Sequence, residues 1–185
     1  MTTRNAAIAA ILILAIAAAA ELAMGRAPIC ACGTIDLWVS ARDGPKTSQM
    51  IADWYSLSHA IHGFLFYAAL WLVASRLSVQ WRFLAALAVE AGWEVFENSA
   101  YVIARYRATT AAAGYSGDSI LNSMFDIVFM ACGFLVARRL PVWACAALVI
   151  VLELIPLYLI RDNLTLNIWM FLWPNASIEA WQAGG

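Results

Sequence analysis

Five apolar stretches, each close to the ~20 residues that cross a bilayer as a helix, divide this chain. They run over residues 6–24, 57–74, 81–98, 119–137 and 141–160. Hydrophobic residues make up 64% of the sequence and charged residues only 12%. A soluble domain carries about 45–50% and about 25% respectively. The chain is therefore read as an all-α integral membrane protein, a bundle of about five transmembrane helices filling one transmembrane domain over residues 1–185. Pro141 suits the first turn of the last helix, where its missing N–H costs nothing. There is no internal repeat and no low-complexity linker. Net charge is −1 and no basic stripe exists, which excludes nucleic acid as an expected partner.

The connections alternate in character. Residues 75–80 and 138–140 are short and flanked by Arg76, Arg82, Arg138 and Arg139. Short Arg-rich loops mark the cytoplasmic side. Together with Arg4 they predict a multi-pass protein of the bacterial inner membrane, with its N-terminus inside and its C-terminus outside. The first stretch also resembles a signal peptide, but its apolar run is long for one, so a retained anchor is expected. Residues 161–185 are expected to form an interfacial tail. Trp169 and Trp173 sit in an apolar run there that is too short to span.

Three polar strings interrupt these apolar segments: Ser58-His59-x-x-His62-Gly63, Glu90-x-x-x-Glu94-x-x-Glu97-Asn98, and Gly117-Asp118-Ser119-x-x-Asn122-Ser123-x-x-Asp126. Ionisable groups are expensive in a bilayer and tend to mark function. Their spacings of three, four and seven residues put each set on one helix face. The predicted topology brings all three strings to one end of the bundle. At 1.5 Å rise per residue, Glu90 and Asp126 lie ~10 to ~12 Å below the rim, forming the floor of a funnel.

His59, His62 and Glu94 are the candidate metal ligands, for zinc or another divalent ion. Glu94, Glu97, Asp118 and Asp126 are the candidate catalytic carboxylates. Three glutamates on one face cannot all stay ionised in low dielectric unless a metal, the histidines, Arg105 or Arg107 compensates. Arg105, Arg107, Asn98, Asn122 and Ser119 are the candidate substrate contacts, the two arginines lying where a lipid phosphate would sit. Blander readings stand beside these. The histidines hydrogen-bond carboxylates as structural glue, Asp118 or Ser119 caps a helix, and Asn122 ties helices together. Cys30 and Cys32 could pair outside the membrane. Cys132 and Cys145 read as packing residues. Glu153 stands alone in the fifth stretch, facing the same cavity or a neighbouring helix.

The same strings, together with Cys30-x-Cys32-Gly33, Ser48-Gln49-x-x-x-Asp53-Trp54-Tyr55 and Arg105-Tyr106-Arg107, resemble an uncharacterised family of small polytopic inner-membrane proteins of alphaproteobacteria. The resemblance covers about residues 25–141 and implies no activity. The fourth stretch, residues 119–137, is also faintly similar to VanZ-like proteins. Two function classes follow from the residues. One is an intramembrane enzyme, metal-dependent and hydrolytic in style, acting on a lipid or lipid-linked substrate at the outer leaflet. The other is a non-catalytic subunit that binds a small ligand or a membrane-protein partner, its polar cluster holding the bundle together. Polar residues are few toward the inner face, which argues against a channel.

Overall fold

A computed structural model describes residues 2–184; Met1 and Gly185, the last residue of the expected tail, lie outside the described residues. The described chain is all helical: α1 (Thr3–Ala23), α2 (Ser56–Val73), α3 (Val79–Glu97), α4 (Ala100–Thr109), α5 (Ile120–Ala137), α6 (Val142–Ile160), α7 (Leu164–Leu172) and α8 (Ala176–Gln182). The five expected stretches become α1, α2, α3, α5 and α6. Four of these, α1, α2, α5 and α6, are long and apolar enough to cross a membrane. The fifth, α3, has 19 residues but carries Arg82, Glu90, Glu94 and Glu97. Its charges are tolerable because the bundle covers them: Glu90 and Glu94 are fully buried.

The centre of the bundle is α5, which buries a broad face: Asn122, Ser123, Asp126, Ile127, Met130, Gly133, Phe134 and Ala137. Against it α2 packs most closely, because two glycines let the backbones approach. A Cβ at Gly63 would overlap backbone atoms of Met130, Gly133 and Phe134, and one at Gly133 would overlap the Ala60 carbonyl. Small residues at helix contacts are the usual route to close packing in membranes. Below this contact Ala17, Ala86, Leu87, Ala91, Ile127, Met130 and Phe134 form the apolar core. The outermost helix is α6, which buries only Pro156 and turns Val142, Trp143, Ile150, Leu154, Tyr158 and Leu159 outward. Apolar side chains facing out over polar ones facing in are the pattern of a protein solvated by lipid.

Two segments hold helices that the apolar runs do not show. Residues 101–117, which the apolar stretches leave as a connection, contain all of α4 but its first residue. Its length and its arginines hide it from an apolar-run reading, but Ser99 caps it by accepting from the Val102 amide at 3.4 Å. The expected interfacial tail is two short helices joined at Trp173–Asn175. Asn163 caps α7 and Asn175 caps α8, each accepting from backbone amides of the following turn. The first of the two packs onto α4. There the Arg105 Nε donates to the Phe171 carbonyl at 2.8 Å, and its guanidinium lies over the Phe171 ring.

The long 24–55 connection crosses the same end of the bundle. It folds on itself through Val39 N–H to Ala52 O and Ile51 N–H to Asp36 O. Cys30 and Cys32 form a disulfide within it, with Cα atoms 5.1 Å apart. Cys30 packs with Val39 and Met50 in a small second cluster.

Candidate functional site

An α-helix begins with unpaired N–H groups that need acceptors, and α5 finds them in carbonyls of the long 24–55 connection and in the Ser119 hydroxyl. The amides of Ser119, Ile120 and Leu121 donate to the carbonyls of Ser48, Ala27 and Pro28 at 2.9 to 3.1 Å. The Asn122 amide donates to the Ser119 hydroxyl at 3.2 Å. The Ser119 hydroxyl donates in turn to Gln49 O, and Asn122 Nδ2 to Met50 O, both at 3.0 Å. Gly117 turns the chain at φ +85°, where a side chain would strike the Arg26 guanidinium. Arg26 holds that turn through Ser116 O at 2.7 Å and Asp118 O at 3.2 Å. Ser119 and Asn122 thus clamp the long connection onto α5.

Asn98, at the end of α3, closes a second network. Its Nδ2 reaches Glu94 O, Asp118 Oδ2 and Ser123 Oγ at 3.0 to 3.2 Å, and its Oδ1 accepts the Asp118 amide at 2.7 Å. Asp118 Oδ2 also accepts from the Tyr115 hydroxyl at 2.9 Å. Burial pushes the Asp118 carboxyl above its usual range, against the pull of the Tyr115 and Asn98 bonds.

The histidines sit in the first two turns of α2 and meet the glutamates of α3. His59 Nδ1 lies 2.7 Å from Glu90 Oε1 and 3.1 Å from Glu94 Oε1. His62 Nδ1 lies 3.1 Å from both oxygens of Glu90. The far side of the His59 ring faces α5, with Nε2 3.9 Å from Asp126 Oδ2. Two sets place one donor atom per residue within 4.8 Å of one another: His59, His62 and Glu90, and His59, Glu94 and Glu97. These residues could hold a metal ion. Both Glu94 oxygens and Asp126 Oδ1 are buried without a hydrogen-bond partner.

A cavity of about 480 Å³ opens above this cluster. His59, His62, Glu90, Glu97, Asp118 and Asp126 line it, with Tyr55, Tyr106 and Tyr115. Its other walls are apolar, from Phe66 of α2, Val89 and Trp93 of α3, and Leu164, Ile168, Phe171 and Leu172 of α7. Val89, Ile168 and Leu172 are also 57%, 49% and 50% exposed, so the cavity reaches the outer flank of the bundle between α3 and α7.

Most of the expected site residues therefore converge, but not all in one role. Glu94 lies behind the cavity wall, against His59. Asn98, Asn122 and Ser119 are buried in the two networks and do not line the cavity. Arg105 is turned to Phe171, and Arg107 is exposed on α4. Glu153 accepts from the Thr165 amide at 3.2 Å and pins α6 to α7, away from the cavity. The sequence reading passed over Glu21, which is fully buried in the last turns of α1 with neither oxygen partnered. The rule that singled out Glu90 would have found it, because it too is ionisable within an apolar span. The tyrosines and the α7 wall carry no such signal, since aromatic and apolar residues are ordinary in membrane helices.

Comparison with known proteins agrees on one family. The model of that family, described as "Protein of unknown function (DUF2585)", matches residues 21–184. A UPF0314 protein of Paracoccus denitrificans is 52% identical over 95% of this chain and 91% of its own length. One from Novosphingobium aromaticivorans is 50% identical over 89% and 85%. Another, from Rhizobium johnstonii, is 48% identical over 96% and 91%. No solved structure matches. The VanZ-like similarity finds no support in these matches.

Proposed function

The chain belongs to the DUF2585 family, and we propose that it is a metal-dependent enzyme of the inner membrane, acting on a lipid or lipid-linked substrate. The observation that carries this reading is the carboxylate of Glu94. It is fully buried with no hydrogen bond to either oxygen, and its one close cationic neighbour, His59 Nδ1 at 3.1 Å, already engages Glu90. Two buried carboxylates that share one histidine, one of them without a hydrogen bond, are strongly disfavoured. A divalent ion beside His59 would offset it, and imidazole with carboxylate is a donor set that suits zinc. His59, His62, Glu90 and Glu94 are the proposed ligands. A bound ion there would supply Lewis-acid polarisation or an activated water. Of the carboxylates that line the cavity, Asp126 is proposed as the general base, because its Oδ1 is free to accept a proton. The apolar walls and the flank opening at Val89 favour a substrate that arrives from the bilayer. The Arg-flanked 75–80 and 138–140 connections favour a cytoplasmic N-terminus, which puts the cavity at the outer leaflet.

A second reading has its own observation. The network of Asn98, Asp118 and Ser123 closes on itself, as expected of polar residues that only hold a bundle together. One experiment separates the two. Elemental analysis of the purified chain should find a stoichiometric divalent metal, lost in His62→Ala and Glu94→Gln without a fall in melting temperature. Absence of metal from the native chain, with both variants unfolding in detergent, would leave only the structural role.

A further inference from the structure

The cavity floor has a charge balance that a phosphate headgroup does not match. Four carboxylates line it, those of Glu90, Glu97, Asp118 and Asp126, and no lysine or arginine does so among the described residues. The arginines nearby are engaged elsewhere, Arg26 on the carbonyls of Ser116 and Asp118 and Arg105 on that of Phe171, and the two histidines that line the cavity stand against Glu90. Away from the histidine end, a phosphate beside Glu97 and Asp118 would set like charges together in a low dielectric, which costs far more than it would in water.

The opposite charge is well provided for. Tyr106 stands at the middle of a continuous aromatic wall, its ring 5.6 Å from Tyr115 and 5.1 Å from Phe171. Trp93 lies one turn before Glu97 on the same face of α3, and both line the cavity. Ring faces beside carboxylates are the usual surroundings of an organic ammonium group. Asp126 adds an acceptor in want of a donor: it is 3% exposed, lines the cavity, and its Oδ1 has no hydrogen-bond partner.

We propose that the cavity binds an amphiphile with an ammonium headgroup, the cation held between Glu97, Asp118 and the ring faces of Trp93, Tyr106 and Phe171, and the chain leaving past Val89 and α7. This deepens the lipid reading above and rests on it. The histidine end of the cavity is left to the metal, whose proposed ligands are His59, His62, Glu90 and Glu94, so the two sites share no residue.

The test uses the full chain in nanodiscs of neutral lipid, with and without added zinc. Octylammonium, octyltrimethylammonium and octyl phosphate are titrated and followed by tryptophan fluorescence and calorimetry. Both ammonium probes should bind saturably and about tenfold or more tighter than the phosphate. Tyr106→Leu and Glu97→Gln should each weaken ammonium binding by about tenfold. If octylammonium alone binds, hydrogen bonding to the carboxylates rather than the rings governs recognition, and the aromatic part of the proposal is overturned. Equal or tighter binding of octyl phosphate overturns it entirely, as does ammonium binding that neither variant alters. The comparison among probes on the unmodified chain does not depend on the variants folding. Ammonium selectivity without any bound metal would uphold this proposal and sink the metal reading. Stoichiometric metal with phosphate selectivity would do the reverse.

Discussion

At the scale of single residues, two kinds of buried polar group share this protein and should respond differently to mutation. Asn98 is saturated: it makes three donor contacts and accepts one more. Asn98→Ala strips Asp118 of two of those partners at once, and a lost buried hydrogen bond costs about 1–3 kcal/mol. The variant should melt measurably lower in detergent. Glu94 is the reverse case, a carboxylate with no hydrogen bond to lose. Glu94→Gln keeps its volume and removes its charge, so its melting temperature should not fall below that of the native chain. A fall as large as that of Asn98→Ala would place Glu94 in the architecture. The sequence made both residues visible, because polarity inside an apolar run stands out. It did not separate them, because spacing shows which helix face a residue shares and not whether a partner already occupies its lone pairs. Arg105 shows the same limit. Its position beside a helix end reads as an anion site until α7, which nothing in the 101–117 segment announces, takes up its donor.

Helices and their joints carry the next set of consequences. The contact of α2 with α5 depends on Gly63 and Gly133, where an added methyl would overlap backbone rather than a movable side chain. Gly133→Ala should therefore destabilise by at least the 1–3 kcal/mol typical of overpacking and displace His59 from Asp126, since Ala60 is the residue struck. Thermal melting checks the first effect and metal content the second. The joint between α6 and α7 is held by Asp162, which accepts from Asn163 N–H, Tyr55 OH and Gln182 Nε2 at 3.0 to 3.2 Å. Burial raises its carboxyl from 3.8 to about 6. The folded state thus holds a proton that the unfolded chain has released between those values. Stability from this group is complete below pH 3.8 and is lost as pH rises through about 6. Asp162→Asn should flatten that part of the pH–stability curve, read by melting at several pH values. The long helices were legible in sequence because apolar length is a strong signal. Both α4 and α7 were not, because a helix of ten or nine residues is too short to stand out by apolar length.

For the whole molecule, the connectivity puts the ends of α1 and α3 and the starts of α2 and α5 on one side, and that side carries the polar cluster, the cavity and the long connection. Reporter fusions after Arg139 and after Gln182 should report opposite compartments, since α6 lies between them; the same compartment for both would remove α6 as a span. The account's central claim is that His59, His62, Glu90 and Glu94 bind a metal ion. X-ray diffraction from the zinc-loaded chain, with data collected on both sides of the zinc edge, tests it most directly. The account predicts a single strong anomalous peak among the imidazoles of His59 and His62 and the carboxylates of Glu90 and Glu94. A peak only on the protein surface, or none at this cluster with zinc in excess, would contradict it.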